Sequence, residues 1–311
     1  MNKSTKIWLN YLLGIALSLL LLWGIYRQVM TAGIDLETWW QTGPDINLYL
    51  CLGLLFVNIV LESSKWYLLT NYVEPVGYFR ALGSYLAGMA VSIVTPNRVG
   101  DYPGRILYLG RGNTFRYINV SVLGAVSQLS AIFLFGLAGL IYYNIVFRGL
   151  LAQVALGLCI AANICVTIIY WRFENWFPGW GDIKLFRRFV IYGRLLNRVT
   201  TKRQVLVLLL SVMRFGVFTA QYLFLLRWMN IDIPLAEGFI MSALFFWTMA
   251  VVPTIALTEL GVRGNVSLYL FHNFSANSLG ILSATTGIWL LNLILPSILG
   301  SILIMRMRLL R

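Results

Sequence analysis

Long apolar stretches separated by short polar segments set the rhythm of this chain. Residues 7–26, 117–143, 149–171 and 276–305 are free of charge. Each reaches or exceeds the roughly 20 residues that carry a helix across about 30 Å of hydrocarbon. Two more stretches, 46–70 and 204–228, are as apolar but hold Glu62, Lys65 and Arg214 within them. These six are expected to be full membrane-spanning helices. Two further apolar stretches break at a proline and run into an acid and an arginine. The first reads Thr95-Pro96-Asn97-Arg98-Val99-Gly100-Asp101-Tyr102-Pro103-Gly104-Arg105, the second Val252-Pro253-Thr254-Ile255-Ala256-Leu257-Thr258-Glu259-Leu260-Gly261-Val262-Arg263. Proline to acid is five residues in one and six in the other, and proline to arginine is nine and ten. Pro75 and Pro234 stand roughly twenty residues upstream of the two breaks. Matching broken segments in the two halves of a membrane chain point to a binding site where they meet.

Charge placement orients these elements. Lys3 and Lys6 put the N-terminus in the cytoplasm, and the loop 28–47 carries Asp35, Glu37 and Asp45 without lysine or arginine, so it lies outside. Residues 172–203 hold eight lysines and arginines against Glu174 and Asp182, and the tail holds Arg306, Arg308 and Arg311. Both should be cytoplasmic. A full crossing by 81–95 would expose the basic 172–203 segment outside, whereas a re-entrant hairpin turning at Pro96 keeps every basic loop inside. The same reasoning makes 238–252 the first arm of a second hairpin, although the uncharged run 238–258 is long enough to span. Fifteen residues from 81 to 95 form a helix of only about 22 Å, which supports the first hairpin. Re-entrant backbone survives at membrane depth when it is buried in protein or lines a wet cavity.

The expected fold is therefore an all-α integral membrane protein, a single domain over 1–311, with about six full helices and two re-entrant hairpins in an inverted repeat. Repeat one covers about 46–143 and repeat two about 204–306. The linker 172–203 interleaves apolar and basic residues as an amphipathic helix on the inner leaflet does. The hinges are Pro96, Gly100, Pro253 and Gly261. Ser84, Gly88 and Ser92 form a stripe of small residues that lets another helix approach.

Composition agrees: 59% of residues are hydrophobic, 11% are charged and the mean hydropathy is +0.78, outside the range of a soluble domain. The net charge of +13 follows in part from topology alone. Cys51, Cys159 and Cys165 lie in apolar spans and read as small core residues, with no spacing for a metal or a disulfide framework. Neither a soluble domain at either end nor a cleaved leader is expected. The sole histidine, His272, has no Gly-x-Ser or Ser/Asp companions, and no phosphate loop or zinc motif occurs. No enzyme activity, metal or cofactor is expected.

Ionisable groups inside spans cost roughly 2.5–3.5 kcal/mol each and face the bundle interior or water. Glu62 and Lys65 share a helix face and can pair. Asp101 and Arg105 can pair one turn apart, and Arg98 stands beside backbone N–H groups released by the break, a combination that suits phosphate. Glu259 and Arg263 repeat the spacing in the second half. Arg214 lies too deep to reach an interface and needs Glu259 or Glu62 as partner. These eight residues, Arg98, Asp101, Arg105, Glu259, Arg263, Arg214, Glu62 and Lys65, form the candidate substrate site. Gln128 and Gln221 read as interhelical glue.

A small-residue helix ending in Pro96, followed by Arg98-Val99-Gly100-Asp101 and Arg105, resembles the transmembrane domain of lysylphosphatidylglycerol synthases and flippase-like relatives. So do Glu62-Ser63-Ser64-Lys65-Trp66-Tyr67-Leu68-Leu69 before Pro75 and the late Pro253 and Glu259-Leu260-Gly261. The resemblance covers about 45 to 305. The family commonly has glutamate where Asp101 stands, Pro103-Gly104 interrupts the run into Arg105, and Thr254-Ile255-Ala256 replaces a Gly-rich turn. The aminoacyl-transferase domain of the two-part synthases has no counterpart here, so the resemblance implies the lipid-translocating part. The expected function is a lipid translocase of the bacterial inner membrane, moving an anionic phospholipid or a polyprenyl-linked phosphate or sugar. Both termini are cytoplasmic, and no nucleic acid is bound. A second copy of the chain or a partner synthase is the protein partner this leaves open. The alternatives are a membrane enzyme that modifies a lipid headgroup and a non-catalytic subunit of a lipid synthase.

Overall fold

The structure is a computed structural model that describes residues 42–95, 98–110, 113–171, 200–252 and 259–305, with residues 12, 15, 16, 19, 20, 22–24, 26 and 27. Ten α-helices cover most of these: α1 (Ile46–Thr70), α2 (Tyr78–Ser92), α3 (Asp101–Leu109), α4 (Thr114–Phe147), α5 (Leu150–Trp171), α6 (Thr201–Trp228), α7 (Leu235–Val251), α8 (Glu259–Phe271), α9 (Ser278–Trp289) and α10 (Leu295–Met305). A short π-helical turn, Leu290–Ile294, joins α9 to α10. The described residues between 12 and 27 are helical as well. Among the described residues five helices are long and apolar enough to cross a membrane: Ile46–Thr70, Thr114–Phe147, Ala152–Trp171, Thr201–Trp228 and Ser278–Met305. The chain is an all-helical, multi-pass membrane protein. Most of the expected span 7–26, Pro96, Pro253, the linker up to residue 199 and the basic tail lie outside the described residues. The linker's last three residues, 201–203, open α6.

The helices begin and end where local chemistry dictates. Asp45 caps α1 by accepting the Leu48 N–H at 3.0 Å, and Asn277 caps α9 by accepting that of Gly280 at 2.9 Å. Along α1 the residues Cys51, Leu55, Asn58, Glu62, Lys65 and Leu69 are buried, at alternating steps of four and three. That spacing keeps them on one stripe of the helix, so the polar trio is carried inward with the apolar ones.

α1 and α6 pack along each other at the centre and run antiparallel. Trp228 Nε1 donates to the Gly43 carbonyl, Gln221 to the Cys51 carbonyl and Arg214 to Asn58, so one number falls as the other rises. Gln221 is indeed a tie between helices. α2 and α3 form a closed antiparallel hairpin. Arg80 donates to the Leu109 carbonyl at 2.7 Å, Ser84 to that of Arg105 at 2.9 Å, and Gly88 abuts Asp101. A methyl group on Gly88 would collide with the Asp101 carboxylate and the Arg105 side chain, so the small-residue stripe is what lets α3 come so close. α10 packs against α2, with Ser297 donating to the Met89 carbonyl and Gly300 pressed onto the Leu86 carbonyl. α7 packs against α4, where Gly136 and Gly139 admit Trp247 and Leu244. Both pairs are antiparallel.

Two apolar cores result. One gathers Trp66, Tyr85, Ile106, Tyr117 and Trp289 around the α2–α3 hairpin, and the other gathers Tyr222, Phe245, Trp247, Phe271 and Ile288 around α7 and α8. α5 joins them by one edge, through Cys159 and Tyr170, runs chiefly along α4 and is otherwise largely uncovered. Cys165 is consequently exposed on α5, which corrects its reading as a core residue; Cys51 and Cys159 are buried. The physical reason is that a helix packed on one side only has no interior for its far face, and in hydrocarbon an outward thiol costs little.

Candidate functional site

Between the two cores an ion network is built on Glu62. The Glu62 carboxylate is 4% exposed and meets three cations from three helices. Lys65 Nζ lies 2.8 Å away on the same face of α1, Arg105 Nη2 of α3 at 3.0 Å and Arg214 Nη1 of α6 at 3.0 Å. Arg105 also grips Asp101 with both sides of its fork, Nε to Oδ1 at 2.8 Å and Nη2 to Oδ2 at 2.7 Å. This two-pronged geometry is available to arginine and not to lysine. The Arg105 guanidinium sits 5.1 Å from the centres of the Trp66 and Tyr85 rings, and Trp66 is itself held by a hydrogen bond from its Nε1 to Ser84. Removing such charges from water is tolerable only because each finds several partners.

A second layer of amides orients the first. Arg214 Nε donates to Asn58 Oδ1 at 2.8 Å and its Nη1 to Gln128 Oε1 at 3.3 Å. Lys65 reaches the same Gln128 oxygen at 3.4 Å. Asn58 in turn donates from Nδ2 to Asn292 Oδ1. Asn292 stands in the π-helical turn, where Leu295 N–H bonds back five residues to the Leu290 carbonyl. Pro296 explains the turn. It has no N–H to give the Asn292 carbonyl, so the regular ladder fails there and the chain widens by one residue. Gln128 and Asn292 are each the fifteenth residue of a long span, α4 in one case and the run from Ser278 in the other.

This network lines a cavity of about 570 Å³. Glu62, Lys65, Arg98, Asp101, Arg105, Arg214 and Arg263 all border it, so seven of the eight expected site residues share one space. The eighth, Glu259, is the first residue of α8, and its side chain lies outside the described residues. Arg214 finds Glu62, one of the two partners its depth demanded. Five cationic side chains face the cavity against two described carboxylates. The lining also has an apolar, aromatic stretch, Phe215, Phe218, Phe246 and Met249, with the Arg214 guanidinium 5.1 Å from the centre of the Phe218 ring. Phe246 lies against both Phe215 and Phe218, so the stretch is one packed aromatic surface.

Of the expected hinges, Gly100 has ordinary helical torsions and is needed for space, since a side chain there would strike the Val91 carbonyl and Thr95. Thr95 closes the turn by accepting the Gly100 N–H at 2.8 Å and donating to the Ser92 carbonyl at 3.0 Å. The left-handed torsion of this turn falls on Arg98, with φ of 56°. Glycine would adopt it more cheaply, so an arginine retained there bears strain at a cavity wall. Gly261 lies within the first turn of α8 and has open space beside it. Pro96 and Pro253 lie outside the described residues.

Sequence reasoning missed Asn58, Asn292, Trp66 and Tyr85. Asn58 carries a legible signal, being one turn before Glu62 and two before Lys65 on the same face. Asn292 is betrayed by the proline four residues on, at the position whose N–H it loses. Nothing in the sequence marks Tyr85, which reaches Arg105 only through the hairpin's fold. Among the described residues no cluster of His, Cys, Asp or Glu gathers to hold a metal ion.

No curated protein matches the chain at a significant level. The family model of the lysylphosphatidylglycerol synthase transmembrane region matches residues 11–300, which takes in every helix of the cavity. A multi-pass helical bundle matched over nearly its whole length to that region belongs to the lysylphosphatidylglycerol synthase transmembrane family, whose setting is the membrane and its lipids.

Proposed function

We propose that this protein is a lipid translocase that moves an anionic phospholipid, or a lipid-linked phosphate or sugar, between the leaflets of a bacterial inner membrane. The observation that carries this reading is the cavity between the two cores, lined by five cations and two described carboxylates and, directly beside them, by a surface of phenylalanines. A charged headgroup and an apolar tail need those two surfaces side by side. The cationic excess suits a phosphate, which arginine recognises through paired donors.

The packing supports an inverted repeat. α1 lies antiparallel on α6, and exchanging α1, α2 and α4 with α6, α7 and α9–α10 turns the α2–α10 contact into the α7–α4 contact. Gln128 and Asn292 then fall at equivalent places. On this plan α2–α3 and α7–α8 are re-entrant hairpins entering from opposite faces, with both termini cytoplasmic. At 15 and 17 residues α2 and α7 are shorter than the five spans, which fits arms that stop within the bilayer.

Chemistry on the lipid is not part of this reading. Glu62 is held by three cations and Asp101 by Arg105, which suits fixed countercharges better than an acid–base pair. No nucleic-acid partner is proposed.

The test is transport in liposomes carrying fluorescent phosphatidylglycerol or phosphatidylcholine in one leaflet. The protein should move the anionic lipid in preference, with its mass unchanged. Arg98→Gly and Arg263→Gln should each abolish that preference. A change in lipid mass would establish an enzyme instead, and absence of both movement and modification would leave the partner-subunit reading.

A further inference from the structure

Glu62, Lys65 and Arg105 are buried at the heart of the cavity, yet one side of the cavity is open. Val99 just before α3 and Tyr102 at its start, Ala125 and Leu129 on α4, and Met249 and Ala250 at the end of α7 all border the cavity, and none of these six is charged, with Arg98 and Asp101 standing next to the first two. Val99 is 60% exposed, Ala250 is exposed and the other four are partly so. The cavity therefore reaches the outer surface of the bundle between these three helices. Ala125 and Leu129 are the twelfth and sixteenth residues of the 34-residue α4. That puts them about 17 and 23 Å along a helix about 50 Å long, close to its middle. For a helix that crosses the membrane, the middle meets hydrocarbon and not water.

We infer that the gap between the start of α3, the middle of α4 and the end of α7 is a lateral portal for acyl chains. An anionic lipid occupies it with its headgroup on the arginines and its two tails passing outward into the bilayer core. This rests on the reading of the cavity as an anionic-lipid site and adds the route by which so large a molecule fits in it. The mouth has the chemistry of the tails, since it offers uncharged side chains at mid-depth. The cavity behind it has the chemistry of the headgroup. A water-soluble anion would need neither feature, because its path would run to a helix end through polar side chains. Glycerol and headgroup can fit within about 570 Å³, whereas two long acyl chains cannot, so a lipid bound there must extend through an opening.

The experiment separates chain number from charge. Full-length protein is reconstituted in nanodiscs with dioleoyl phosphatidylglycerol, dioleoyl phosphatidylcholine and single-chain lysophosphatidylglycerol, then extracted, and its retained lipids are weighed by native mass spectrometry. Val99→Trp and Ala250→Trp, both at exposed positions that tolerate bulk, should lower retention of two-chain phosphatidylglycerol about tenfold relative to the single-chain form, as overfilling a limited space does. The preference for phosphatidylglycerol over phosphatidylcholine should stay as in the wild type. Leu158→Trp, an equally exposed change on α5 away from the mouth, should alter neither ratio. Arg263→Gln should remove the headgroup preference and leave the chain-number ratio alone. Retention of two-chain phosphatidylglycerol at wild-type level in both portal variants overturns the portal. Wild-type protein holding both diacyl lipids equally, with the portal variants still selecting against two chains, overturns the anionic reading and leaves the portal standing. Wild-type protein holding no lipid overturns both.

Discussion

Glu62→Gln is the substitution that weighs most heavily on the ion network. It removes one negative charge, keeps the volume and turns half of an acceptor into a donor facing Lys65, Arg105 and Arg214. Those cations lie 2.8, 3.0 and 3.0 Å from the carboxylate. Each pair is worth roughly 5.5–6 kcal/mol at an effective dielectric of about 20, before repulsion among the three cations is subtracted. Breaking a buried ion pair by removing one partner costs about 3–5 kcal/mol, because the remaining charge keeps its desolvation penalty without its compensation. Three cations that share one carboxylate place this variant at the upper end of that range. The assay is unfolding in mixed micelles, followed by tryptophan fluorescence, for wild type, Glu62→Gln, Arg214→Gln and the double variant. The double variant should be less destabilised than the sum of the singles by about 1–3 kcal/mol, since removing Arg214 relieves part of the excess charge that the first change creates. A Glu62→Gln protein within about 0.5 kcal/mol of wild type, or strict additivity of the two changes, would refute the network as a source of stability.

Two further outcomes follow from the packing. Gly88→Leu should separate α2 from α3 and destabilise the protein by about 1–3 kcal/mol, whereas Gly53→Ala, which meets open space, should stay within about 0.5 kcal/mol in the same unfolding assay. Pro296→Ala restores the missing N–H and should let the π turn close into regular α-helix. Thermal stability should hold or rise while transport falls, because Asn292 rotates away from Asn58 and Arg214 loses its brace. Equal transport in liposomes would show that the turn does not serve the site.

The span-length apolar runs of 46–70, 117–143, 149–171, 204–228 and 276–305 were legible because crossing hydrocarbon sets a length and a composition that a chain cannot disguise. Glu62, Lys65 and Arg214 stood out for the same reason, as each is costly where it sits. The period of α1 even put Asn58, Glu62 and Lys65 on one face, since three- and four-residue steps keep to one side of a helix whatever surrounds it. Which cation meets which carboxylate was settled only by packing. Arg214 on α6 comes to Glu62 because α1 and α6 run antiparallel, and Arg105 comes because Gly88 lets α3 close on α2. The Trp66 and Tyr85 faces around Arg105, and the apolar mouth beside Val99 and Ala250, depend on contacts between residues far apart in the chain. Local sequence carries the cost of burying a group and the face it occupies. The partner that offsets the cost is a matter of distance in space, and only the folded bundle sets that distance.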